Sequence, residues 1–125
     1  MKAYIYTLAC PTTNNVVYVG ETQHPLLRFN MHLGQQQTIS VVRDWISYLK
    51  EIKLTPLMNV IDTVQDTEAD YWERFYIHLF RSWGFDLLNF TTHSTFNPHY
   101  NKAIKPQKLA IVEKYRAIYN ALQRR

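Results

Sequence analysis

An arginine and a histidine lie four residues apart, shortly after a strand-like run at residues 16–20 that ends in glycine. A spacing of four places the side chains of Arg28 and His32 on one face of a helix. The arginine guanidinium offers a fork of donors suited to phosphate oxygens. The pair therefore indicates a site that faces a phosphate, and an exposed arginine beside a solvated histidine is the alternative.

A carboxylate interrupts the apolar side of a predicted helix. At about 100° per residue, Glu73 falls among Ala69, Tyr76 and Phe80. A carboxylate in such surroundings is costly unless it is paired, hydrogen-bonded or bound to a metal ion. Glu73 is therefore interpreted either as part of a structural ion pair or as a metal ligand.

Three tyrosines lie in two neighbouring predicted strands. Tyr4 and Tyr6 are two residues apart and share one face of the sheet. Tyr18 belongs to the next strand, where a cross-strand position beside them is feasible. These phenol groups are candidates for chemistry near Arg28 and His32.

Alternating patterns and helical spacings predict the elements that position these residues. Pro25 suits the first turn of a helix, and Gly34 and Gly84 suit helix ends. Thr38 or Ser40 is expected to cap the second helix, and Asp66 or Thr67 the third. The predicted strands are residues 2–9, 16–20 and 57–64, and the predicted helices are 25–33, about 39–49, about 67–83 and a last one after Pro106.

Apolar side chains recur at helical spacing in the third and last predicted helices. The stripe predicted to be buried in the third helix comprises Ala69, Trp72, Tyr76, Leu79, Phe80 and Trp83. The apolar side of the last helix comprises Leu109, Val112, Tyr115, Tyr119 and Leu122. Between these helices the chain is expected to be irregular from residue 90 to about Pro106.

The chain has 125 residues, 46% of them hydrophobic, which is enough for one packed domain and excludes global disorder. A single cysteine, Cys10, excludes an intramolecular disulfide, and no CxxC or HExxH spacing indicates zinc. We expect no signal peptide and no membrane span, because no apolar run approaches about 18 residues. A cytoplasmic location fits these features.

Charge is distributed unevenly along the chain. Residues 1–90 hold seven Lys and Arg against nine Asp and Glu, whereas residues 91–125 hold seven against one. We therefore divide the chain into a domain over residues 1–90 and a basic linker and helix over 91–125. The basic segment indicates contact with a polyanion, and a solvated face or a packing or dimer helix is the alternative. The candidate nucleic-acid-binding residues are Lys105, Lys108, Lys114 and Arg116.

Five short motifs occur together in a recognisable order. They are Tyr4-Ile5-Tyr6, Tyr18-Val19-Gly20, Arg28 with His32, Glu73 in Glu-Arg-Phe-Tyr-Ile, and Leu88-Asn89. In this order and spacing the chain resembles the GIY-YIG nuclease family over roughly residues 3–90. That family includes homing endonucleases, some restriction enzymes and an excision-repair nuclease domain. The chain departs from the family motifs at Tyr4, which replaces a glycine, and at Val19, which replaces an isoleucine.

The element order and the resemblance predict an α+β fold, in which a small three-stranded antiparallel sheet is flanked by helices in the order β-β-α-α-β-α and an additional basic C-terminal helix follows. The resemblance implies an endonuclease that hydrolyses phosphodiester bonds in DNA with one divalent ion, Mg²⁺ or Mn²⁺, held by Glu73. It assigns Tyr6 as the base, with Tyr18 as its partner or substitute, and Arg28 as the group that stabilises the transition state.

Two of the implied residues keep alternative roles. His32 either hydrogen-bonds a phosphate or passes on the proton, and Asn89 orients either the Glu73 carboxylate or the end of the sheet. A catalytically silent nucleic-acid-binding or protein-interaction module on the same scaffold is the alternative function. The residues do not choose between DNA and RNA, between a nick and a double-strand break, between monomer and dimer, or among roles in phage or mobile-element recombination, restriction and repair.

Overall fold

The computed structural model describes residues 1–89 and 98–123, with side chains at all of these positions except 98–104. The predicted order of elements is confirmed, with one short 3₁₀ turn added before the third helix. The strands are β1 (Lys2–Ala9), β2 (Val16–Thr22) and β3 (Leu57–Gln65), the 3₁₀ turn is Asp66–Glu68, and the helices are α1 (Pro25–Leu33), α2 (Ser40–Glu51), α3 (Ala69–Ser82) and α4 (Pro98–Gln123).

The sheet has the strand order β2-β1-β3, and both pairs are antiparallel. The central strand β1 places Tyr6 opposite Gly20 and Leu8 opposite Tyr18 on β2. Because residues directly opposite each other point to the same face, Tyr6 and Tyr18 lie on one side of the sheet. The predicted three-stranded α+β fold is therefore confirmed.

Helices cover both faces of the sheet. On the face that carries Tyr6 and Leu8, the core is formed with α2 and α4. On the opposite face, Ile5 and Val19 pack against Ile77 of α3 and against Leu87. The residues on the first face include Val41, Val42, Trp45, Ile46, Leu49, Val112, Tyr115 and Tyr119. None of the helices in the described ranges combines the length and apolar character needed to cross a membrane.

The start and the buried face of α3 differ from the prediction. Trp83 is 63% exposed, whereas Ile77 is the most buried residue in the body of the helix. Trp83 is the C-cap residue of α3, and its ring contacts Phe80 edge-on at a centroid distance of 5.6 Å but otherwise stays largely exposed. The cap predictions are also wrong, because neither Asp66 nor Thr67 caps α3, and the backbone turns through a 3₁₀ segment to an N-cap at Glu68.

The α4 helix begins at Pro98, so the predicted irregular segment is wrong for residues 98–106, and its part at 90–97 lies outside the described residues. Pro98 is tolerated in a first turn, where its missing N–H has no helical partner. Pro106 lies inside the helix and removes one hydrogen bond of the ladder. Val112, Tyr115 and Tyr119 are buried, and their packing stabilises the helix. The local sequence pattern does not report this tertiary contribution.

Hydrogen bonds link α4 to the rest of the core. The Trp45 indole Nε1–H donates to the Tyr119 hydroxyl at 2.8 Å, and the Cys10 thiol lies 3.1 Å from that hydroxyl. Leu122, at the end of the predicted apolar side, is exposed. The C-terminal helix α4 therefore packs against α2 and the sheet.

Candidate active site

Three rings from three elements meet on one face of the sheet. The ring centroids of Tyr6 on β1, Tyr18 on β2 and His32 on α1 lie 5.7 to 6.3 Å apart. Tyr6 and His32 are each 1% exposed, whereas Tyr18 is half-buried. The predicted cross-strand position of Tyr18 beside Tyr6 is therefore what the structure shows.

Both ring nitrogens of His32 are engaged by hydroxyl groups. Its Nε2 lies 2.7 Å from the Tyr6 hydroxyl oxygen, and its Nδ1 lies 3.1 Å from the Thr38 hydroxyl oxygen. Burial, together with the positive charge of Arg28, lowers the pKa of His32 to about 4. His32 is therefore neutral at physiological pH, and direct contact with a phosphate would require it to give up one of these two partners.

Arg28 lies one helical turn before His32 and is half-buried. Its guanidinium donates to the backbone carbonyl of Gln37 at 2.8 Å and more weakly to that of Gln36 at 3.4 Å. Its charge also opposes the rise in the pKa of both Tyr6 and Tyr18. The structure therefore brings Arg28 to the same region as the two phenols.

Burial governs the acidity of the two phenols. It raises the pKa of Tyr6 far above the usual range, with a smaller contribution from the neighbouring Tyr18. The pKa of Tyr18 rises to about 12, first through burial and then through the negative charge of Glu73. Neither phenol loses its proton spontaneously at neutral pH, so any role in proton transfer requires a partner that accepts its hydrogen.

Glu73 is half-buried on α3, and its charge acts on both phenols. Burial raises its pKa to about 7, and the charges of Glu21 and Asp70 add to the rise. None of the ion pairs within residues 1–89 and 98–123 includes Glu73. Among the described residues no cation compensates this carboxylate, so the ion-pair interpretation finds no partner there.

Two carboxylates near Glu73 were not singled out from the sequence. Glu21 follows Gly20 on β2, and Asp70 lies three residues before Glu73, on the same side of α3. Asp70 is already paired with Arg74 at 2.9 Å. Among the described residues, no group of three or more His, Cys, Asp or Glu side chains is arranged to hold a metal ion. Of these three carboxylates, Glu73 is therefore the candidate for a lone protein ligand of a metal ion.

Asn89 is bound to the outer edge of β2. Its Oδ1 accepts a hydrogen bond from the Val19 N–H at 2.8 Å, and its Nδ2 donates to the Val19 carbonyl at 2.8 Å. Leu88 adds a backbone hydrogen bond to Val17 at 2.7 Å. The Asn89 side chain therefore holds the segment after α3 against the edge strand β2, and among the described residues no hydrogen bond joins it to Glu73.

The four basic candidates on α4 differ in accessibility. Lys105 is exposed, Lys114 pairs with Asp86 at 3.4 Å, and Arg116 pairs with Glu113 at 3.7 Å. Lys108, in contrast, is 8% exposed and donates to the Leu87 carbonyl at 3.1 Å. Burial lowers the pKa of Lys108 to about 8. Lys108 was named with the other three as a candidate contact for nucleic acid, but its amine is buried against the segment that follows α3.

Thr38 is the other residue that sequence reasoning placed elsewhere. The sequence predicts Thr38 or Ser40 as the cap of α2, and both predictions are wrong, because the N-cap is Ile39, Ser40 is the first helical residue, and no side-chain hydrogen bond caps the helix. The Thr38 hydroxyl contacts His32 and the Gln36 carbonyl instead. A spacing of six residues between a histidine and a hydroxyl does not predict such a contact, because the conformation of the intervening loop determines whether the two groups meet.

Comparison with models of protein families matches residues 2–86 to the GIY-YIG catalytic domain. No curated protein and no solved structure matches the chain. The matched range contains the three rings, Arg28 and Glu73, and it ends before Asn89 and α4.

Proposed function

The chain belongs to the GIY-YIG catalytic domain family, a family of nucleases, and we propose that it is an endonuclease that hydrolyses phosphodiester bonds in DNA with the help of one divalent metal ion. The observation that carries the proposal is the meeting of Tyr6, Tyr18, Arg28 and His32 on one face of the sheet, within electrostatic range of Glu73. Three consecutive elements, β1, β2 and α1, supply the first four groups, and the distant helix α3 supplies Glu73.

Glu73 is the residue that would hold the metal ion. Its carboxylate is half-buried, repelled by Glu21 and Asp70, and unpaired among the described side chains, so a bound dication would relieve an unfavourable arrangement. Mg²⁺ and Mn²⁺ accept a single protein carboxylate when water and phosphate oxygens complete the coordination. When bound, such an ion supplies stabilisation of the negative charge that develops on the phosphate and on the leaving oxygen.

Tyr6 is the proposed base for the attacking water. Its hydroxyl is hydrogen-bonded to His32 Nε2 at 2.7 Å, so it can pass its own proton to that nitrogen while it receives a proton from water. As the water oxygen bonds to phosphorus, the water O–H bond and the bond between phosphorus and the leaving sugar oxygen break. His32 ends as an imidazolium, and the leaving oxygen takes a proton from solvent. Tyr18 lies beside this pair and is more accessible than Tyr6, so it is the proposed partner or substitute for Tyr6.

Arg28 is the proposed contact for the non-bridging phosphate oxygens. Carbonyl groups of Gln36 and Gln37 hold part of its guanidinium, and the group keeps further donors for a ligand. A fixed cation that faces developing charge lowers the barrier without having to reorganise during the reaction. Arg28 also favours the ionised form of either phenol, which assists proton transfer from water.

The exposed basic residues of α4 are proposed contacts for the DNA backbone. Lys105, Lys114 and Arg116 are exposed, and the ion pairs that Lys114 and Arg116 make are of the weak surface kind. Such pairs are readily exchanged for phosphate contacts, with release of counterions. Lys108 is left out of this set because it is buried.

The test is cleavage of supercoiled plasmid in Mg²⁺ by the wild-type protein, Glu73→Gln and Arg28→Ala. Both substitutions are expected to abolish cleavage while circular dichroism shows a folded chain. Glu68→Gln and Arg43→Ala are matched controls, since both residues are exposed and lie outside the ring cluster, and they are expected to cleave as wild type does. Cleavage that survives both Glu73→Gln and Arg28→Ala would refute the assignment.

The same experiment separates the enzyme from a silent binding module. A module without turnover would bind DNA in a salt-sensitive manner, would be indifferent to Mg²⁺ and to Glu73→Gln, and would leave the plasmid intact.

A further inference from the structure

We propose that Thr38 is a positioning residue, which selects the Nδ1–H tautomer of His32 and so makes the Tyr6 hydroxyl the donor in the Tyr6–His32 hydrogen bond. The tautomer follows from contacts within the chain. Its consequence for cleavage rests on the proposed nuclease function.

A backbone carbonyl determines which atom donates in each of these hydrogen bonds. The Gln36 carbonyl is an acceptor only, and the Thr38 hydroxyl oxygen lies 3.0 Å from it. The single hydroxyl hydrogen of Thr38 is therefore committed to Gln36. Towards any other neighbour, the Thr38 oxygen can only accept.

His32 is the neighbour that meets this oxygen. Because the Thr38 oxygen accepts, the hydrogen at their 3.1 Å contact belongs to His32 Nδ1. His32 is almost fully buried and has no carboxylate among its hydrogen-bond partners, so it carries one ring hydrogen, and its Nε2 presents a lone pair. At 2.7 Å from that lone pair, the Tyr6 hydroxyl must donate.

This order of donors leaves the Tyr6 oxygen with lone pairs to receive a proton from outside the pair. If the Thr38 hydroxyl were absent, nothing would hold the hydrogen on Nδ1, and the Nε2–H tautomer would turn the Tyr6 oxygen into an acceptor from His32. The relay from water through Tyr6 to Nε2 would then be blocked, because Nε2 would already carry a hydrogen.

The loop that carries Thr38 also holds Arg28. The Gln36 carbonyl receives both the Thr38 hydroxyl and the Arg28 guanidinium, and the Gln37 carbonyl receives Arg28 at 2.8 Å. Gln35 and Gln37 adopt left-handed φ values of 61° and 48°, which non-glycine residues rarely do. This backbone conformation turns successive carbonyls towards Arg28 and Thr38, so one loop orients both groups.

The experiment measures the tautomer directly by long-range ¹H–¹⁵N NMR of the histidine rings at pH 7, without DNA or metal. The wild type and Thr38→Ser are expected to show His32 as the Nδ1–H form, and Thr38→Val is expected to show a substantial Nε2–H population. His78, exposed on α3, serves as an internal reference. A wild-type His32 in the Nε2–H form, or a tautomer that Thr38→Val leaves unchanged, would overturn the proposal.

Cleavage kinetics supply the functional readout. Thr38→Val is expected to lower kcat on the order of 10- to 100-fold with little change in KM, and Thr38→Ser is expected to restore most of the rate. If the chain proves not to cleave DNA, the NMR result still decides the tautomer. If Thr38→Val cleaves at the wild-type rate although its tautomer has shifted, the positioning role is refuted while the nuclease assignment stands. If Thr38→Val does not fold, the wild-type spectrum by itself remains able to refute the assignment of the tautomer.

Discussion

Gly20 lies directly opposite Tyr6 in the β1–β2 ladder, and the phenol ring of Tyr6 fills the space that a side chain at position 20 would need. A Cβ built at this position would lie 2.7 Å from Cε1 of Tyr6 and closer still to the Cζ and the hydroxyl oxygen. The glycine that ends the second tyrosine motif is therefore the residue that lets the Tyr6 hydroxyl reach His32.

Gly20→Ala is accordingly expected to displace the Tyr6 ring and to break its hydrogen bond with His32. Overpacking of this kind destabilises a domain by about 1–3 kcal/mol, and we expect plasmid cleavage to be lost as well. Urea unfolding and a cleavage assay measure the two effects. Gly34→Ala is the control, because its nearest contact would be an ordinary 3.4 Å. Equal stability and activity of the two variants would show that Tyr6 has room to move.

Tyr119→Phe is expected to destabilise the domain although it changes a residue beyond the matched range 2–86. The substitution leaves the buried Trp45 indole N–H without its acceptor, which costs about 1–3 kcal/mol. Urea unfolding measures the change. Tyr71→Phe, at a position that is 60% exposed, is expected to have almost no effect. Similar results for both variants would mean that the hydrogen bond between Trp45 and Tyr119 does not stabilise the domain.

Asn89→Ala is expected to loosen the edge of β2, because it removes both hydrogen bonds to Val19. The loss should be about 2–3 kcal/mol, and Asn89→Asp should be worse, since one carboxylate oxygen would then face the Val19 carbonyl. The urea midpoint measures both changes. Asn59→Ala, on the exposed side of β3, is the control. A midpoint for Asn89→Ala that equals the control would contradict this role of the amide.

The stability of the protein is expected to depend on His32 between pH 6.5 and pH 4. The folded protein lowers the pKa of His32 to about 4, whereas the unfolded chain keeps a value of about 6.5. The unfolded state therefore binds more protons in this window, and the free energy of unfolding falls as the pH falls, by on the order of 2–3 kcal/mol.

The comparison for this pH dependence is His32→Gln, with urea unfolding of both proteins at several pH values from 7 to 4.5. Carboxylate contributions are common to the two proteins, so the wild type is expected to lose more stability on acidification. Parallel curves would show that His32 takes up its proton equally easily in both states.

Substitution of the exposed cations of α4 is expected to weaken DNA binding, whereas substitution of the buried Lys108 is not. Replacement of Lys105, Lys114 and Arg116 by Gln should weaken binding in EDTA and reduce the slope of log Kd against log salt by about 0.9 for each phosphate contact that is lost. Lys108→Met should leave that slope unchanged, because the amine is bonded to the Leu87 carbonyl. A slope that only Lys108→Met reduces would reverse this assignment.

The sequence by itself predicted the order of the elements and named Tyr6, Tyr18, Arg28 and His32, which the fold brings to one region. The alternation in β1 and the helical spacing in α2 are local patterns. They predict the elements because side chains repeat every 2 residues in any strand and every 3.6 residues in any helix. Arg28 and His32 share a face for the same reason. The helix ends likewise depend on the chain within a few residues: Gly34 is the C-cap of α1, and Gly84, with a φ of 92°, follows the C-cap of α3.

The tertiary structure decided which atoms these residues touch. Thr38 serves His32 rather than a helix end, Asn89 binds Val19 rather than Glu73, and Lys108 is buried against Leu87. Each of these contacts involves a residue in or next to a loop. The path of a loop relative to the sheet is set by the tertiary structure, and the periodicity of the sequence does not predict it. Hydrogen bonds are satisfied by whichever partner folding brings within about 3 Å, so residue types indicated the chemistry and the three-dimensional arrangement assigned the roles.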